Sequence, residues 1–218
     1  MLKPGILAAA AAAWLGLGTA GAQAFDWSGF YAGVQGGLFN GTGWIEEYEE
    51  LIGIWPIVGP FGGVFAGFNA QHNSIVFGVE ADFNVASASG ETQGMAEADF
   101  YEYGSSVDSF GSIRKRIGVT AGNWLFFGTA GIAFANGEFW SSYCDGECAL
   151  PEYQDVTHFG FVVGAGAEYA LSDTVSIRKD LRFYNFGTQE VQLGATQEEN
   201  VEYYLTAVTA SVGLTWHF

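Results

Sequence analysis

Apolar residues alternate with polar or small ones over eight stretches of the chain, the period-two sign of strands whose two faces meet different surroundings. The stretches are Phe30–Leu38, Gly63–Ala70, Ile75–Ala86, Phe110–Thr120, Trp124–Ala135, His158–Ala170, Val175–Gly187 and Glu202–Phe218. Connections are long after the first, third, fifth and seventh stretches, and short at Gln71–Ser74, Ala121–Asn123 and Leu171–Thr174. Long loops at one rim and tight turns at the other predict an all-β fold: a closed antiparallel eight-stranded transmembrane β-barrel with four long outer loops.

The faces can be read in frame. In the third stretch Ile75, Phe77, Val79, Ala81, Phe83 and Val85 share one side, and Gly78, Glu80, Asp82 and Asn84 the other. The sixth sets Phe159, Phe161, Val163, Ala165 and Ala167 against Gly160, Gly164, Gly166 and Glu168. Apolar outside and polar inside is the inverse of a soluble sandwich strand. A soluble sandwich or lipocalin-like barrel would also alternate, and the start of the chain argues against both.

Lys3, an apolar stretch from Ile6 to Leu17 and the triplet Ala22-Gln23-Ala24 form the pattern of a cleaved export signal. The apolar stretch is shorter than the roughly 20 residues of a membrane-spanning helix. A signal peptide over residues 1–24 and a single barrel over 25–218 are therefore expected. Composition fits an aromatic-wrapped sheet with close backbones, for the chain is 17% aromatic with 32 glycines. It is only 14% charged, yet its net charge is −17.

Every basic residue after the signal, Arg114, Lys115, Arg116, Arg178, Lys179 and Arg182, lies in the fourth or seventh stretch. The four arginines share the inward frame with Glu80, Asp82, Glu168 and Asp180. An eight-strand lumen has room for side chains and little else, so these eight residues are expected to form a buried salt-bridge network. A catalytic or ion-selective constellation is the rival reading. Lys115 and Lys179 fall in the outward frame, where a lysine at mid-membrane costs about 2–4 kcal/mol. They snorkel, or a bulge shifts their frame, or they meet a partner protein.

Most of the 24 acidic residues crowd the long connections, among them Glu46, Glu47, Glu49, Glu50, Glu97, Asp99, Glu102, Asp145, Glu147, Glu152, Asp155, Glu198 and Glu199. This reads as a solvated rim, or as a surface where divalent cations bridge to lipopolysaccharide phosphates. Cys144 and Cys148 are the two cysteines, close together in one long connection outside the cytoplasm, and a disulfide is expected. Zinc would need further ligands that the spacing does not offer. Enzymatic chemistry would need a base near the outer rim, where His158 has Asp155 and Ser141 or Ser142 in its loop region, whereas His72 and His217 fall at the opposite rim. No cofactor motif and no basic nucleic-acid patch is present.

Several segments in order resemble the small outer-membrane porin-family proteins of alphaproteobacteria, the outer membrane immunogenic proteins with an OmpA-like eight-stranded barrel. They include Phe25-Asp26-Trp27-Ser28-Gly29-Phe30-Tyr31-Ala32-Gly33, Val76-Phe77-Gly78-Val79-Glu80-Ala81-Asp82, Ser112-Ile113-Arg114-Lys115-Arg116-Ile117-Gly118 and Phe183-Tyr184-Asn185-Phe186-Gly187. The resemblance implies a bacterial outer-membrane location, embedded in outer-membrane lipid. It also implies recognition of Leu214, Trp216 and terminal Phe218 by the barrel assembly machinery. A non-enzymatic structural or surface-interaction role follows, with a narrow porin or an adhesin acting through acidic loops as alternatives. Lys115 and Lys179 depart from the Gly or Ala more usual in that family.

Overall fold

The computed structural model describes residues 25–47, 50–96, 99–145, 147–148, 150–192 and 200–218, so the expected signal peptide lies outside the described residues. Eight long strands form the wall: β1 (Gly29–Glu47), β2 (Glu50–His72), β3 (Ile75–Ala96), β4 (Asp99–Ala121), β5 (Trp124–Asp145), β7 (Glu152–Ala170), β8 (Val175–Gln192) and β9 (Asn200–His217). A two-residue strand, β6 (Glu147–Cys148), pairs back onto β5. Each long strand is hydrogen-bonded to the next, and β1 pairs with β9 from Tyr31↔His217 to Glu46↔Glu202, which closes the ring. Closure leaves no sheet edge, the condition for a sheet to span lipid.

At the tight-turn rim, β2 passes to β3 through Asn73 and Ser74, and β4 to β5 through Gly122 and Asn123. Asn73 and Gly122 both take positive φ, 54° and 61°, the local twist a two-residue hairpin needs and one that Asn and Gly tolerate.

The long connections differ from expectation. The strands do not end where the apolar outward face ends but run on as paired arms: β1 and β2 stay in register to Glu47↔Glu50, and β3 and β4 to Ala96↔Asp99. Alternation also continues in these arms, with its sign reversed. Within the membrane band the exposed outward residues are apolar, such as Leu38, Ile132 and Phe159. Beyond it the outward residues include Asn40, Thr42, Ser87, Ser89, Glu91, Asp155 and Glu202, with Ile54, Val58 and Tyr153 as exposed exceptions, while Phe39, Ile45, Trp55, Tyr103, Phe139, Tyr203 and Leu205 turn inward as a buried core. One cylinder is thus lipid-solvated below and water-solvated above.

The boundary carries its own markers. The β3–β4, β4–β5 and β8–β9 ladders shift register between Val85 and Ala88, Ser105 and Ser109, and Asn185 and Thr188 respectively. Such bulges re-aim side chains. At the last of them Gly187 takes φ 72° and its amide donates to Asn185 Oδ1 at 2.9 Å. On the outward face, Asn136 Nδ2 donates to Ser109 Oγ at 3.3 Å, and Thr157 Oγ1 donates to Asn136 Oδ1 at 2.9 Å.

Candidate functional site: the filled lumen

Inward side chains fill the barrel in three layers. The charged layer follows from the strand frame, since β3, β4, β7 and β8 each alternate and put Glu80 and Asp82, Arg114 and Arg116, Glu168, and Arg178, Asp180 and Arg182 respectively at buried positions. Glu80 is its hub. Arg114 pairs with Glu80, and its Nη1 lies 3.0 Å from Asp82 Oδ2. Arg178 reaches Glu80 at 2.6 and 3.2 Å and Asp180 at 2.7 Å. Arg182 lies 3.3 Å from Asp180 and 3.7 Å from Asp82. Arg116 pairs with Glu168 and stands 4.0 Å from Glu80. These eight charged residues lie together in the lumen, four of each sign, every side chain essentially buried. Neutralisation and bidentate geometry offset part of the cost of removing these charges from water.

Sequence reasoning missed the neutral residues that complete this layer. Tyr31 donates its hydroxyl to Glu80 at 2.8 Å, and Ser112 donates to Asp82 at 2.5 Å. Arg182 donates to Gln35 Oε1 at 3.0 Å, Gln35 to Asn84 Oδ1 at 2.7 Å, and Asn84 to Asp82 Oδ1 at 2.7 Å. The signal that could have found them is the frame itself, because Tyr31, Gln35, Asn84 and Ser112 all fall at inward positions. Phe127 and Phe65 were missed as well. The Arg116 guanidinium lies 3.8 Å from the Phe127 ring centroid, and that of Arg178 4.4 Å from that of Phe65, a stacking that favours a cation out of water. Gly33 and Gly67 make room: a Cβ at Gly33 would strike the Phe65 ring and the Leu214 carbonyl, and one at Gly67 the Tyr31 hydroxyl.

Above this layer sits an aromatic plug. Phe110 packs against Phe39, Phe61 and Tyr184, with ring centroids 5.3, 5.0 and 5.7 Å away. Higher still, Trp55 stacks on Tyr203 at 5.8 Å, and the indole N–H of Trp55 and the hydroxyl of Tyr203 both donate to Ser105 Oγ at 2.9 Å. Below the charges, the segment preceding β1 folds into the mouth. Trp27 is fully buried there, its amide donating to Gln71 Oε1 at 2.9 Å and its ring 5.5 Å from that of His217.

The histidines do not assemble a catalytic site. His158 points inward against Tyr203, whereas Asp155 faces out from the same strand, and Ser141 lies far up β5. At the other mouth Ser176 donates to Glu168 at 2.6 Å, and His217 Nε2 faces both Ser176 at 2.9 Å and Glu168 at 3.6 Å. A hydrolytic triad needs nucleophile and carboxylate on opposite ring nitrogens; here they share one, with Trp27 packed against the ring.

Among the described residues no three His, Cys, Asp or Glu side chains converge to hold a metal ion. Glu46 and Glu190 stand directly across from Glu202 on neighbouring strands, while Glu49, Glu97, Glu198 and Glu199 lie outside the described residues. Backbone pairing sets Cys144 opposite Cys148. Leu214, Trp216 and Phe218 keep to the outward face of β9 and its end, and Trp216 and Phe218 border a shallow apolar recess with Ala32, Ala66 and Ala81.

A ring of eight strands, apolar toward lipid and charged within, matches what comparison finds. The profile of the outer membrane protein β-barrel domain covers residues 9–218. The chain belongs to that family. It is 30% identical over 205 residues to a 31 kDa outer-membrane immunogenic protein of Brucella melitensis, covering 89% of this chain and 85% of the relative. It is 28% identical over 168 residues to a 22 kDa outer membrane protein of Rhizobium leguminosarum, covering 77% and 68%. Among solved structures, the outer membrane protease OmpT of Escherichia coli is similar with a TM-score of 0.52, 9% identity and coverage of 91% and 99%. The outer membrane protein OprG of Pseudomonas aeruginosa is similar with a TM-score of 0.50, 10% identity and coverage of 88% and 96%. At such identities the structural likeness is one of fold. This family member is an alphaproteobacterial-type barrel of the bacterial outer membrane.

Proposed function

We propose that this protein is a sealed barrel with a structural and surface-interaction role: it anchors in the outer membrane and holds a rigid acidic shaft above it. The observation that carries this reading is the filled lumen. A solute would have to displace Trp27, then part ion pairs that each depend on the other, then cross a layer of interlocked aromatic rings. A narrow porin would need the opposite, a continuous polar path. A protein that turned over substrate would need accessible groups, and the lumen offers only buried ones.

The shaft suits contact with the surrounding surface layer. No lysine or arginine offsets its carboxylates, and Glu46, Glu202 and Glu190 sit side by side although like charges directly across strands repel. Divalent cations shared with lipopolysaccharide phosphates would relieve that repulsion. The purified barrel in a planar bilayer should be electrically silent, and Arg116→Ala, which leaves Glu168 without its arginine, should be leaky or less heat-resistant. Large, steady, weakly selective conductance from the unmodified protein would reject the sealed reading in favour of the pore.

A further inference from the structure

Two lysines meet lipid. Lys115 and Lys179 are exposed on the outward face, and the ladders run through both without a register shift. No bulge turns them aside. Lys115 stands opposite Val79 and Ala130 between Ile113 and Ile117; Lys179 stands opposite Ala167 and Val212 between Ile177 and Leu181. Lys115 is four residues above Val119 and Lys179 four above Val175, near the tight-turn end of each strand. At roughly 2.5 Å of height per residue of a tilted strand, both lie about 10 Å inside the periplasmic edge of an apolar band about 25 Å tall.

They share a depth but not a side. One way around the ring β4 and β8 are separated by β5 and β7, the other way by β3, β2, β1 and β9. The lipid shell meets both, whichever side of the ring they stand on. A second copy supplies no counter-charge, because among the described residues the outward positions of the apolar band hold no carboxylate. Beside Lys179 the wall opens into a recess of about 420 Å³ lined by Gly36, Ala165, Leu181, Ala210 and Val212, so there is room next to the lysine for a group bulkier than an acyl chain.

We propose that Lys115 and Lys179 are two anchors for anionic phospholipid of the periplasmic leaflet, each drawing a headgroup phosphate up along the wall. The lysine stem covers part of the distance to the headgroups, and local thinning of the leaflet covers the rest, the usual accommodation of a charge at this depth. The lysines thereby select negative headgroups over zwitterionic ones and fix the leaflet's thickness around the barrel.

The test uses the full barrel reconstituted in vesicles of phosphatidylcholine with a minor fraction of phosphatidylglycerol, then extracted gently and weighed by native mass spectrometry with its bound lipids. The unmodified protein should retain phosphatidylglycerol over phosphatidylcholine by roughly fivefold per lysine, the usual worth of a lysine at an anionic leaflet. Lys115→Leu/Lys179→Leu should lose that enrichment while keeping the heat-modifiable gel migration of a folded barrel, and Lys115→Arg/Lys179→Arg should keep it. No enrichment in the unmodified protein, or enrichment that survives in the leucine variant, overturns the proposal. So does a protein that co-purifies through the lysines in the absence of lipid enrichment. Bilayer conductance is a separate readout, so failure here leaves the sealed-lumen reading to stand or fall by itself.

Discussion

Glu80→Gln removes one negative charge from the lumen and almost none of its volume. In the parent, Glu80 accepts from Tyr31 at 2.8 Å, pairs with Arg114, and holds Arg178 through contacts of 2.6 and 3.2 Å. Breaking one member of a buried pair typically costs about 3–5 kcal/mol. Three arginines face Glu80, but Arg114 retains Asp82 at 3.0 Å, Arg178 retains Asp180 at 2.7 Å and Arg116, 4.0 Å away, retains Glu168, so none is orphaned. The loss should therefore be about 3–5 kcal/mol in all, not twice that. It can be measured as the urea dependence of the heat-modifiable gel shift in detergent micelles. Arg178→Met in the Glu80→Gln background removes the surplus positive charge, and since an apolar replacement of a buried pair is often close to neutral, the double variant should regain at least about 1 kcal/mol. A single variant within about 0.5 kcal/mol of the parent would refute the reasoning. So would a double variant that lost the sum of the two single losses.

Three further outcomes are expected. Processing should leave Phe25 as the mature first residue, and N-terminal sequencing of protein from outer membranes would contradict this if it began elsewhere. Unreduced mass spectrometry should find Cys144 and Cys148 linked, as their cross-strand pairing allows, whereas full alkylation of both thiols in fresh membranes would rule the bridge out. Deleting Phe218 should sharply reduce insertion in cells, and equal insertion of the truncated chain would remove its assembly role.

How far the fold could be read beforehand depended on where solvent changes. Within the lipid band, strands such as Phe77–Val85 are unmistakable because every second residue is apolar and its neighbours are polar or glycine. Above the band, β1 and β2 carry Gly41, Gly43, Gly53, Pro56, Gly59 and Pro60, which read as loop chemistry. They are strand nonetheless. Pro60 can sit there because the β2–β3 ladder skips Gly59 and Pro60 while keeping its register, from Phe61↔Ala86 to Val58↔Ser89. In the site, charge was the legible part, since Arg114, Arg116, Arg178 and Arg182 had nowhere else in frame to go but inward. Tyr31, Gln35 and Ser112 carry only the frame, which turns them inward without singling them out until the register sets them against a carboxylate or its partners. Trp27 precedes β1 altogether, and no periodicity could assign it to the mouth.

The reversal of alternation has a consequence for where the molecule floats. Raising the barrel by one residue pair would lift Leu38 and Phe159 into water; lowering it would draw Asn40 and the Ser109, Asn136 and Thr157 hydrogen-bonded set under lipid. Both displacements are opposed at once, around much of the circumference. The chain thus encodes its own waterline. It can tilt in the bilayer but not bob, and its acidic crown is held at a fixed height among the sugars of the outer leaflet, whatever the length of the surrounding acyl chains.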